Sequence, residues 1–80
     1  MDENGWYDLT PNTILIKELV CQDFHAGDII EFTYSNGESH KITIGPIGAY
    51  QIKNTDIEII KMRVKKYVST STEGTITYVA

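Results

Sequence analysis

Between Asp28 and Ile44 the chain alternates apolar and polar side chains on both sides of Asn36-Gly37, and this leaves few folds open to it. Ile30, Phe32 and Tyr34 stand two apart, with Ile29, Glu31 and Thr33 between them; after the break His40, Ile42 and Ile44 share one parity and Ser39, Lys41 and Thr43 the other. Successive side chains of a strand point to opposite faces, so each run reads as a strand with one buried face. A two-residue Asn36-Gly37 loop would set Glu31 opposite Ile42 and Phe32 opposite Lys41, mixing core and solvent faces. An odd loop keeps even positions together. The sequence therefore predicts a three-residue loop built on a type I turn, with Gly37 in the left-handed conformation.

Asn12 to Cys21 (NTILIKELVC) lacks helix caps and is rich in Ile, Leu and Val, which predicts a strand buried on both faces. Gly45-Pro46-Ile47-Gly48 breaks the ladder, because proline has no N–H to donate, and a corner belongs there. Ala49 to Lys53 is a short strand with Tyr50 and Ile52 on its apolar face, closed by the turn-forming Lys53-Asn54-Thr55-Asp56. Residues 56 to 68 read two ways. Thr55-Asp56-Ile57-Glu58 fits a helix capping box with Ile57, Ile60, Val64 and Tyr67 along one helical face, whereas Ile60 to Lys65 alternates without error and is heavy in β-branched residues. The reading adopted is strand, and the shift of apolar parity from Ile57 and Ile59 to Ile60, Met62 and Val64 then requires a bulge or a crossing between two sheets.

Ser69 to Gly74 (STSTEG) reads as a polar loop, and Thr75 to Ala80 alternates Ile76, Tyr78 and Ala80 against Thr75, Thr77 and Val79 as a last strand. About six closely spaced strands without a convincing helix predict an all-β fold, a small antiparallel β-sandwich or partly open barrel. Residues 12 to 80 form the single domain, and residues 1 to 11 (MDENGWYDLTP) an N-terminal arm whose Trp6 and Tyr7 need somewhere to dock.

Size and composition narrow the function classes. Eighty residues bury only about 60% of their unfolded surface, so stability must come from a well-filled core or from partners. No stretch approaches the roughly 18 apolar residues of a membrane span, which predicts no membrane partner. One cysteine allows no internal disulfide, and the acidic opening Met1-Asp2-Glu3-Asn4-Gly5-Trp6 is unlike a secretory signal, so synthesis in the cytoplasm is expected. Residues 1 to 40 hold eight acids against the single base Lys17, a net of −7, while the remainder carries +3 within a total of −4. Separated in space, the halves would give an acidic and a basic surface suited to docking; interleaved, they would simply keep the surface soluble.

Candidate chemistry is thin. Cys21, Asp23 and His25 share parity and with His40 would supply zinc-ligand types, yet structural zinc sites pair their cysteines or histidines at fixed spacing and here there is one thiol. A Cys-His pair from Cys21 and His25 or His40 lacks any sign of an oxyanion hole, and Asp56 and Glu58 have Lys61 and Arg63 nearby, which oppose the raised carboxyl pKa of a general acid. No phosphate loop, dinucleotide glycine pattern or calcium loop is present. The expectation is a protein without catalytic residues, metal or cofactor.

The sharper feature is Lys61-Met62-Arg63-Val64-Lys65-Lys66-Tyr67, in which Lys61, Arg63, Lys65 and Tyr67 would form one outward row. A cationic row ending in an aromatic suits phosphates and stacked bases, but the overall acidity, with a pI near 4.9, argues against nucleic acid. Trp6, Tyr7, Tyr34, Tyr50, Tyr67 and Tyr78 offer stacking faces for sugars, which makes a small binding module for glycans or single-stranded nucleic acid the alternative. The reading adopted is a structural assembly protein with other protein subunits as partners, as a homo-oligomer or within a capsid-like assembly. In size and style the chain looks like the accessory or decoration proteins of phage virions. In that reading Trp6 and Tyr7 anchor the arm on a neighbour, the Lys61 to Lys66 row faces an acidic patch on another subunit or the capsid shell, and Trp6, Tyr7, Lys61, Arg63, Lys65 and Tyr67 are the candidate interface residues.

Overall fold

The computed structural model describes residues 3–9, 15–53, 56–68 and 74–79. Among them seven strands form: β1 (Trp6–Asp8), β2 (Glu18–Gln22), β3 (Ile29–Tyr34), β4 (Ser39–Thr43), β5 (Tyr50–Ile52), β6 (Ile59–Lys65) and β7 (Thr75–Val79). They make two antiparallel sheets, a four-stranded one in the order β1-β6-β3-β4 and a three-stranded one in the order β5-β2-β7. The all-β, sandwich-like expectation holds, with no helix among the described residues.

The β3–β4 hairpin has the predicted geometry. Ile30 faces Ile42 and Phe32 faces His40. The Gly37 N–H donates to the Tyr34 carbonyl oxygen (3.0 Å) and the Tyr34 N–H to that of Glu38 (2.8 Å), leaving a loop of Ser35, Asn36 and Gly37. Gly37 takes φ +90° with open space around it, so the glycine serves the backbone conformation alone. The predicted corner also forms: the Gly48 N–H donates to the Gly45 carbonyl oxygen (3.0 Å), and the chain passes there from β4 of one sheet to β5 of the other.

Two expectations are refined. The strand expected over residues 12–21 begins at Glu18 within the described residues, and residues 12–14 lie outside them. Ile16 instead exchanges both backbone hydrogen bonds with Ile59 of β6 (2.9 Å each) before the chain crosses at Lys17 to the second sheet. Nor is β2 buried on both faces: Leu19 and Cys21 enter the core, while Val20 lies half-buried between Gln51 and Thr77. The ambiguous segment is a strand over Ile59–Lys65. Its change of parity is a bulge, since Thr33 pairs with Lys61 but Tyr34 with Ile59, so Ile60 has no partner on β3. Of the polar loop read over residues 69–74, residues 69–73 lie outside the described residues, as do the turn residues 54–55 and Ala80.

One core lies between the sheets. The larger sheet contributes Ile30, Phe32, Ile59, Met62 and Val64, the smaller one Leu19 and Cys21, and Ile16, Phe24 and Ile44 close the ends from loops, all ten at most 6% exposed. Burial of apolar surface on this scale supplies the main stabilisation, about 25 cal/mol per Å².

Candidate functional site

The outer face of the four-stranded sheet carries the sequence-predicted row, and register explains its arrangement. Side chains alternate, so Tyr7, opposite Val64, packs against the core, while Trp6 and Asp8 face outward beside Lys65 and Arg63. Over Trp6–Asp8 the expected arm is thus an edge strand of its own chain's sheet. Glu31 pairs across β3 with Arg63 on one side and Lys41 on the other. Arg63 Nε donates to Glu31 Oε1 at 2.6 Å and Lys41 Nζ lies 3.8 Å from Glu31 Oε2. The Trp6 ring covers this group, with the Arg63 guanidinium carbon 4.4 Å and Lys41 Nζ 5.7 Å from its centroid. Lys61 lies 3.9 Å from Asp8, both exposed.

This face is therefore less cationic than the sequence pattern suggests. Lys65 is exposed, Arg63 is held by Glu31, and Tyr67 leaves the row because β6 ends at Lys65. The Tyr67 ring stacks instead on His25, centroids 5.6 Å apart and planes within 14°. Acids of the first forty residues pair with bases of the remainder at Glu31–Arg63, Glu31–Lys41, Asp8–Lys61 and Asp28–Lys66, so the two halves interleave.

The zinc-type residues stand in different surroundings. Cys21 is buried in the core and its thiol pKa is pushed up to about 11 by burial. Asp23 takes φ +59°, which ends the extended run before His25. His25 Nδ1 lies 2.7 Å from the Ala26 carbonyl oxygen, and His40 sits exposed on β4. No group of three metal-ligating side chains forms among the described residues.

Two features escape the pattern reading. Lys66, grouped by sequence with the outward bases, turns inward to Asp28 and lies over the Phe24 ring, 4.9 Å from its centroid. An open cleft of about 490 Å³ also forms where the β3–β4 hairpin meets β5, bringing Tyr34 and Tyr50 together. Burial raises the Tyr34 phenol pKa, and the neighbouring Tyr50 raises it further. The tyrosines were visible as isolated residues, but their meeting depends on the corner at Gly45–Gly48, which no local spacing encodes.

Compared with known protein families, curated proteins and solved structures, the chain matches none.

The edges of the sheets differ in kind. β1 and β5 are three residues long, and β4 is centred on Lys41, features that discourage pairing with another chain. β7 is five residues, Thr-Ile-Thr-Tyr-Val, with neither charge nor proline. It pairs only with β2 among the described residues. Among the described residues no helix is long and apolar enough to cross a membrane.

Proposed function

We propose that the chain is a non-enzymatic assembly protein that joins other protein subunits, its own copies first, through the outer edge of β7. The supporting observation is the chemistry of that edge. An antiparallel pair of β7 strands centred on Thr77 sets Ile76 opposite Tyr78 and Thr75 opposite Val79, with parity preserved. Ile76 and Tyr78 share the inner face of the smaller sheet, since both flank the core-facing Leu19 and Cys21 in register, and Tyr78 is 42% exposed. A β-branched residue opposite an aromatic is a favourable cross-strand pair. The same operation on β4 would put Lys41 opposite itself, and like charges directly opposite are unfavourable. Self-pairing through β7 thus joins two three-stranded sheets into one of six strands around a two-fold axis. The finer reading is an accessory or decoration subunit of a virion shell, a setting that suits a small β module acting through its surfaces.

The test is mass in solution by light scattering over a concentration series, at low and high salt, for the natural chain and for Thr77→Lys. The substitution sets an ammonium opposite itself at the joint but lies on an exposed outward position of the single chain. A dimer or higher multiple that persists in salt and dissociates in Thr77→Lys, with unchanged circular dichroism, is expected. A 9.0 kDa monomer at every concentration would end the reading.

A further inference from the structure

The cleft between the β3–β4 hairpin, β5 and the segment before β6 has a lining of unusual balance. Tyr34 and Tyr50 are half-buried in its wall, and the Tyr50 ring is held by stacking on Phe32, centroids 6.1 Å apart. Ile52 and Ile57 add an aliphatic side. Glu38 and Asp56 are exposed at the rim, and their carboxylates have no ion-pair or hydrogen-bond partner among the described residues. Ser39 and His40 complete the lining, and among the described residues no lysine or arginine joins it. The frame is fixed: the Glu38 N–H donates to Asn36 Oδ1 (3.0 Å), and the Ser35 N–H donates to the Glu58 carbonyl oxygen (2.9 Å), tying the segment before β6 to the hairpin.

Aromatic faces attract cations through the ring quadrupole, carboxylates attract them by charge, and aliphatic walls suit a methylene stem. An anion would meet two carboxylates, with His40 as the single base among the described lining residues to offset them. We propose that this cleft takes the side chain of a lysine presented by a partner protein, its stem along Ile52 and Ile57, its ammonium on the Tyr34 and Tyr50 rings, and Glu38 and Asp56 closing over it. The site is independent of the β7 joint, because β5 and β7 occupy opposite edges of the smaller sheet.

The experiment is a nuclear magnetic resonance titration of the full chain at low salt, following the ring resonances of Tyr34 and Tyr50. The probes are Nα-acetyl-lysine methylamide, n-butylammonium, n-butanol and glucose. The two amines shift both rings with dissociation constants of order 1 mM, and n-butanol binds at least about tenfold more weakly. Glu38→Gln with Asp56→Asn weakens the lysine amide by about tenfold, with the rest of the spectrum intact because both positions are exposed. Equal shifts from n-butanol would make the cleft a plain apolar site. Equal shifts from glucose would make it a sugar site, and binding of n-butylammonium without the lysine amide would make it a site for small amines. Each of these outcomes, or no shift with any probe, overturns the proposal.

Discussion

Lys66 Nζ lies 3.5 Å from Asp28 Oδ2 with side-chain exposures of 9% and 0%, an ion pair held almost wholly out of water. Asp28 also accepts the Tyr67 N–H at Oδ1 (2.8 Å) and the His25 N–H at Oδ2 (3.1 Å). A single carboxylate thus ties the corner before β3 to the end of β6. Asp28→Asn keeps the shape, removes the charge and turns a donor toward other donors. We expect a loss of about 3–5 kcal/mol in urea unfolding, because one partner of a buried pair is removed while the other stays. Asp28→Asn with Lys66→Met is expected to cost clearly less than the two single changes added together; strict additivity would show that the pair is not coupled.

Two glycines with similar backbone angles should respond differently to alanine. Gly37, at φ +90°, has nothing within 4 Å of an added Cβ, so only the left-handed backbone is penalised, about 1 kcal/mol. Gly48, at φ +70°, would place its Cβ 2.4 Å from the Phe24 carbonyl oxygen, which accepts no such approach without moving backbone. The Phe24 N–H already donates to the Gly48 carbonyl oxygen (3.0 Å), so the corner is pinned at both residues. Gly48→Ala is expected to cost at least about 3 kcal/mol. Equal costs at the two positions in chemical denaturation would mean that the close approach is relieved freely.

The Cys21 thiol sets a pH dependence whose sign follows from its burial. Its pKa is raised from 9.0 to about 11, so the folded state holds the proton more tightly than the unfolded chain. The stability involved is fully present below pH 9 and is lost as pH rises toward 11. Tyr34, also raised by burial, acts in the same direction at still more alkaline pH. Urea midpoints should stay flat from neutrality to about pH 9 and then fall by an amount of order 1–3 kcal/mol, and Cys21→Ala should remove part of that slope. At neutral pH a thiol reagent should modify Cys21 only as fast as the fold opens.

Much of this fold is legible because a period of two is strictly local. Ile30, Phe32, His40 and Ile42 carry the hairpin register in their own spacing, and the Ile59-to-Met62 parity change announces the bulge at Ile60. The crossing at Lys17 is not legible, since NTILIKELVC is equally apolar on both sides of the residue where the chain changes sheets. Strand β1 is hidden for a related reason: three residues give too short an alternation to recognise, and only the empty edge of β6 explains why they pair. The charge row is legible only in part, because parity assigns a face but not a partner. Arg63 does point outward, yet Glu31 already stands beside it, and Lys66, of the same parity as the core-facing Met62 and Val64, turns inward to Asp28.

Charge reversal along β6 separates residues that merely face outward from those that are available to a partner. Arg63→Glu puts a carboxylate beside Glu31, whose side chain is 13% exposed, and removes the guanidinium from under Trp6. Losing a partly buried, hydrogen-bonded pair and gaining a repulsion is expected to cost about 2–3 kcal/mol, or a fall in Tm of roughly 10 °C or more for a domain of this size. Lys65→Glu, at an exposed position with no ion pair among the described residues, should change stability by no more than about 0.5 kcal/mol. Lys61→Glu breaks only the exposed contact with Asp8 at 3.9 Å and should cost a few tenths of a kcal/mol. Thermal melts of the three variants beside their masses in solution separate two roles for the row. If assembly weakens in Lys61→Glu and Lys65→Glu while Tm holds, these lysines meet an acidic partner. If only Arg63→Glu changes anything, and through Tm, the row serves the sheet itself and the joint lies elsewhere, at β7.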